Sequence, residues 1–134
     1  MQQSPRPVDR FFEAWSPRLA ERNLLVSFAG ARYNGPLVDS EPASWRACVE
    51  SSLLSTHLMT RGFARVARTQ GGAILNMASI HAEAAAAGTP HPARSLGDPA
   101  DVTRASLFLL SDESAFRTGE TIRVDGGRLR HAEV

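Results

Sequence analysis

The stretch GGAILNMASIHAEAAAAGTPHPARSLGDPADV, residues 71–102, decides the fold. It opens on two glycines, runs through AILNMA and delivers a serine, Ser79. A short apolar run bounded by turn residues reads as a strand buried in a parallel sheet. The stretch closes on Asp98-Pro99-Ala100-Asp101, the order that starts a helix. Asp98 serves as N-cap, Pro99 fits the first helical position, and Asp101 meets the positive end of the helix dipole. Between Ser79 and that helix lie only AEAAAA, helix-prone but too short to stand alone, and the loop TPHPARSLG. Between Ser79 and Arg94 there is thus no room for a full helix plus a further strand.

Upstream, Ser40 is placed to cap a long helix from about Pro42 to about Thr69, with Trp45, Cys48/Val49, Leu53, His57, Phe63 and Val66 at helical intervals. On that helix Cys48 reads as a small buried hydrophobe and His57 as a partly buried residue at a helix contact. Gly62 weakens the helix by about 1 kcal/mol relative to alanine. Before it, NLLVSFAG is a second apolar strand, and ARYNGPLVDSEP is loop. VDRFFEAWSPRLAE forms a helix that Pro17 interrupts. Downstream, DPADVTRASLFLLSDESA buries Val102, Ala105, Leu109 and the pair Leu107/Phe108, and GETIRVDGG supplies a third strand ending in a glycine turn. The succession implies an α/β protein, a parallel sheet of about three strands with flanking helices and right-handed crossovers. Residues 1–8 read as a short disordered lead, and 9–134 as a single domain.

At 134 residues with 43% hydrophobic and 22% charged residues, the chain has enough material for one core without disulfides. A net charge of +1 gives no field for nucleic acid or anionic lipid, and no run is long enough to span a membrane. MQQSPRP lacks the apolar core of a secretion signal, so the expected location is the cytoplasm. A single cysteine excludes an internal disulfide, and no His or carboxylate pair has metal-ligand spacing. All fifteen basic residues are arginine. A Schiff-base lysine, a phosphate-loop lysine and a catalytic Tyr/Lys pair are therefore all excluded from this chain.

At these residues the chain resembles the short-chain dehydrogenase/reductase family, whose members have a Rossmann-type fold and use NAD or NADP. LLVSFAGARYNGPLVD is similar to the family's fourth-strand signature, and SWRACVESSLLSTHLMTRGFARV to the helix that follows it. GGAILNMAS resembles the fifth strand, whose final serine is Ser79 here. ARSLGDPADVTRASLFLLSDESAFRTGETIRVDGG resembles the C-terminal stretch through the last strand. The resemblance covers most of residues 22–127 and implies a truncated, internally deleted member: a partial Rossmann-like sheet with an empty strand slot.

Four departures bear on function. No glycine-rich turn with an acidic residue further on precedes Asn23, so the dinucleotide-binding half is expected to be absent. The family's tyrosine, which acts as acid/base because a neighbouring lysine lowers its pKa, has no counterpart after Ser79. The only tyrosine is Tyr33, in an upstream loop. The fourth-strand asparagines are replaced by Ser27 and Phe28, leaving Ala29 and Gly30 as vestiges of a cofactor-binding turn, and the asparagine of the family's proton relay aligns with Ser52.

Candidate site residues gather around the deletion. Ser79 ends a strand, where open α/β sheets place ligands, and could donate to a substrate carbonyl; it could equally cap the next turn. His81 could supply a base to it, or be a solvated loop side chain. His91 and Arg94 fall near where a tyrosine and a cation would be expected, although Arg94 also fits an ordinary pre-helix loop.

The leading expectation is a family member without independent NAD(P)-dependent activity, either a non-catalytic subunit or a remnant. One alternative is a cofactor-independent lyase, cyclase or isomerase working on a small molecule at the Ser79/His81 rim. Another is an oxidoreductase only in complex with a full-length relative. No cofactor is expected for the isolated chain, and NAD or NADP only in such a complex. Unpaired strand edges and uncovered apolar faces imply self-association or docking onto a full-length relative.

Overall fold

The computed structural model describes residues 7–18, 23–69, 71–82, 97–127 and 129. The chain divides into two compact units, Met1–Met77 and Ala78–Val134.

The first unit is built on a two-stranded parallel sheet of β1 (Leu24–Ser27) and β2 (Ala73–Asn76). Leu24 pairs with Ala73, Leu25 with Ile74, Val26 with Leu75 and Ser27 with Asn76. The Ala73 N–H donating to the Asn23 carbonyl and the Met77 N–H donating to the Ser27 carbonyl extend the ladder beyond both ends. The strands alternate between exposed and half-buried residues, and Leu24, Val26 and Ile74 keep 40–54% of their surface in solvent. The double-sided burial expected of these strands is therefore not reached.

Helix α1 (Pro7–Trp15) starts inside the stretch read as a lead, because Pro7 suits a first helical turn. It ends before Pro17 in a 3-10 turn, Ser16–Arg18, as the proline predicts. The long helix begins at Pro42 and runs as α2 (Pro42–Val49), a π-helical segment (Glu50–Leu54) and α3 (Ser55–Ala67). Its N-cap is Glu41, not Ser40. The Ser40 hydroxyl donates instead to the Leu37 carbonyl at 2.7 Å, closing the preceding 3-10 turn.

The core of this unit is a contact between α1 and α3. Phe12 and Phe63 are buried at 6% and 4% exposure. A Cβ on Gly62 would lie 2.3 Å from the Phe12 ring, so the glycine that weakens the helix is what lets the ring dock. Asp9 and Arg65 bridge the same pair of helices at 3.2 Å. Trp45, Val49, Leu53 and His57 turn away from this core and are exposed, and Cys48 is half-buried. The buried roles expected for His57 and Cys48 are thus corrected: the helix spends its buried side on Phe12 and the sheet.

In the second unit, α4 (Pro99–Leu110) carries the expected Asp98 cap. Asp98 accepts from the Ala100 N–H at 2.8 Å, and Asp101 reaches back to the Asp98 N–H at 3.0 Å, a reciprocal capping box. Val102, Ala105, Phe108 and Leu109 are half-buried, whereas Leu107 is 63% exposed and departs from the expected buried face. Residues 120–124, read as a third strand, do not form one. A β-prone segment becomes a strand only when a neighbour takes up its N–H and C=O groups. The glycine turn that follows does form: Gly126 and Gly127 have φ of 62° and 84°.

Candidate functional site

The loop after β1 is fastened to the long helix. Ser52 on the π-helical segment accepts from the Ala31 N–H and donates to the Ala31 carbonyl, both at 3.3 Å. A Cβ on Gly30 would meet the Ser52 oxygen at 3.4 Å. Gly30, Ala31 and Ser52, separated in sequence, therefore meet in one corner after β1, with Ala29 next in the chain. Sequence reading placed Ser52 only by alignment. The Ser51-Ser52 pair, unusual inside a helix because such hydroxyls compete for backbone groups, is the signal that could have exposed the latch. Tyr33 lies further along this loop, its hydroxyl against Gly35.

Ser79, three residues beyond β2 and in the second unit, is exposed. Its carbonyl accepts from the Ala82 N–H at 2.9 Å, closing the 3-10 turn Ile80–Ala82 that contains His81. Ser79 and His81 thus share one short turn. His91 and Arg94 lie outside the described residues. Among the described residues no three His, Cys, Asp or Glu side chains come together as a metal site.

A family model described as enoyl-(acyl carrier protein) reductase matches residues 3–91 and 85–128. A crystal structure of a short-chain dehydrogenase/reductase from Burkholderia xenovorans superposes with a TM-score of 0.81 at 26% identity, covering 92% of this chain and 70% of that one. The chain belongs to the short-chain dehydrogenase/reductase family. ElxO with NADP bound shares the fold, with a TM-score of 0.78 at 17% identity over 92% of this chain and 73% of its own. Among curated proteins, 3-oxoacyl-(acyl-carrier-protein) reductase FabG of Vibrio harveyi is 53% identical over 36 residues, 27% of this chain and 15% of FabG. An uncharacterized oxidoreductase of Mycobacterium tuberculosis is 50% identical over 36 residues, 27% of this chain and 14% of its own length. The matched stretch therefore spans only a small part of the curated relatives.

Among the described residues, neither strand end has the form that seats a dinucleotide. A pyrophosphate needs a glycine turn leading from a strand directly onto a helix N-terminus. After β1 the chain instead runs through exposed Phe28 and the Ser52-latched loop before its next helical turn at Leu37. After β2 it enters the single turn at Ile80. Among the described residues, neither leads through a glycine turn directly onto a helix N-terminus.

Proposed function

We propose that this chain is a short-chain dehydrogenase/reductase family member with no redox activity of its own, acting as a non-catalytic subunit. One observation carries the reading: no lysine occurs anywhere in the sequence, and the lone tyrosine, Tyr33, rests on Gly35 in the loop after β1. The stretch after Ser79, where the family resemblance puts the proton-donating tyrosine and its lysine, contains neither. Without that pair no group in the chain can deliver a proton to a substrate oxygen as the family does. Serine and a neighbouring histidine on one turn do not replace it, since hydride chemistry also requires a bound nicotinamide.

The partners are a second copy of the chain or a full-length relative, in the cytoplasm, with no part for nucleic acid or membrane. NAD or NADP, and the Tyr/Lys pair, would then belong to the relative. Support comes from the open sheet: among the described residues it has two strands, and β1 and β2 leave apolar residues half in solvent. Isothermal titration of the purified chain with NADH and NADPH should give no saturable heat. Saturable binding at micromolar concentration overturns the reading.

A further inference from the structure

Glycine follows an asparagine or aspartate at two places in the chain, Asn34–Gly35 and Asp125–Gly126. Such steps share a latent reaction. The amide nitrogen of the glycine can attack the side-chain carbonyl carbon of the residue before it and close a cyclic imide. Glycine puts no side chain in the way. Whether the ring closes depends on how the fold holds the two reacting groups.

The structure holds the three asparagines and this aspartate differently. Asn23 is buried at 6% exposure, and its carbonyl accepts from the Ala73 N–H. Asn76 is exposed but ends β2, and the nitrogen that would attack it, that of Met77, donates to the Ser27 carbonyl at 2.9 Å. The Asp125 carboxylate accepts from the Gly127 and Leu129 amides at 2.8 and 3.1 Å, so its two oxygens are engaged beyond Gly126. Asn34 has none of these restraints. Residues 28–39 are all exposed, and Asn34 lies outside any helix or strand. Among the described residues neither its carboxamide nor the Gly35 N–H makes a hydrogen bond. A Cβ on Gly35 would stand 2.5 Å from the Tyr33 hydroxyl oxygen, so packing in this loop demands the residue that leaves the attack open.

We propose that Asn34 is a site of self-modification, where the chain loses ammonia and gains a carboxylate without an enzyme. The Gly35 nitrogen bonds to the Asn34 Cγ as its proton passes to solvent. The Cγ–Nδ2 bond breaks, and the departing nitrogen takes up a proton and leaves as ammonia. Water then adds to one of the two imide carbonyls and breaks its bond to nitrogen. Opening at Cγ gives aspartate, whereas opening at the main-chain carbonyl gives isoaspartate, with the backbone rerouted through the side chain and one carbon longer. No electrons are exchanged: amide and water become carboxylate and ammonium. The change falls between two fixed points, Ala31, tied to Ser52, and Pro36, whose carbonyl accepts from the Asp39 N–H at 3.1 Å. The loop after β1 takes up the new charge and the added length.

Ageing the purified chain in mildly alkaline buffer tests this. Trypsin cuts after Arg32 and Arg46 and releases residues 33–46 as one peptide. That peptide should acquire the mass of –OH in place of –NH2 and co-elute with synthetic peptides carrying aspartate and isoaspartate at position 34. Its conversion should run at least about tenfold ahead of conversion at Asn23 and Asn76, and Asn34→Gln should abolish it on that timescale. The same measurement in urea separates the part of the fold from that of the sequence. Asn34 should react there within about threefold of its folded rate, whereas isomerisation at Asp125 should accelerate at least about tenfold once its amide partners are lost. Conversion at Asn34 slowed by folding beyond that range, or overtaken by Asn76 in the folded chain, overturns the proposal. An Asp125 rate that urea leaves unchanged overturns the reason for placing the reaction at Asn34 alone.

Discussion

Two phenylalanines mark the difference between the units. Phe63, in the first, keeps 4% of its surface in solvent, whereas Phe116, in the second, is fully exposed at 105%. The first unit is held by burial: Phe12 and Phe63 sit between α1, α3 and the strand ends, with Gly62 and Gly72 clearing the space. The described part of the second unit is ordered by local hydrogen bonds. The capping box opens α4, the Ser114 hydroxyl donates to the Leu109 and Ser111 carbonyls at its end, and Asp125 accepts from two following amides. Hydrophobic burial holds distant segments together, while caps and turns order only their own few residues.

The sharpest way to break the contrast is to truncate both rings. Phe63→Ala should cost about 3–5 kcal/mol in urea unfolding, in the range for a buried phenylalanine. Phe116→Ala should stay within about 0.5 kcal/mol, as for an exposed side chain. Equal effects would overturn the contrast. Next, Gly62→Ala should destabilise by about 1–3 kcal/mol, because overpacking against Phe12 outweighs the roughly 1 kcal/mol gained in helix propensity. In a Phe12→Ala background the same change should become neutral or stabilising, and a double-mutant cycle reads the reversal.

In the second unit the effects should be smaller and local. Asp98→Ala removes the side-chain half of the capping exchange, leaving the Asp98 N–H to Asp101, and should cost about 1 kcal/mol, seen as faster hydrogen exchange at the first-turn amides of α4. The smallest effect concerns Asp125. Its carboxyl is held below the usual aspartate range, chiefly by the Leu129 N–H and further by the Gly127 N–H and the Arg123 charge. A depressed pKa in the folded state means that the turn is supported above the unfolded aspartate's pKa, and that support is lost as pH falls through the lowered value. The Gly127 and Leu129 amide resonances should therefore shift together during acidification, and Asp125→Asn should abolish the titration.

The legible parts of the sequence were those encoded locally. The Asp98-Pro99-Asp101 start of α4, the break at Pro17, the strands LLVS and AILN, and the glycine turn after Val124 follow from capping, ring geometry and apolar runs within a few residues. The misplaced features depended on what lies across the fold. Ser40 had the right chemistry for a cap, but its hydroxyl found the Leu37 carbonyl first. His57 and Leu107 sat at buried-face spacing, yet helical periodicity marks an apolar side without saying what will cover it. The π-helical segment Glu50–Leu54 has no simple sequence signature. Of the candidate site, the serine at a strand end and the missing Tyr/Lys pair could be read directly; the Ser52–Ala31 latch could not.

By itself, the sequence determined the alternation of strands and helices, the family and the absence of its proton-donating pair, because each resides in short-range pattern or residue identity. The tertiary structure alone decided that Gly62 seats Phe12, that Ser52 ties down the loop after β1, and that residues 120–124 do not form a strand. Those outcomes depend on neighbours far away in the chain, and a contact needs both of its partners in place before either residue has a role.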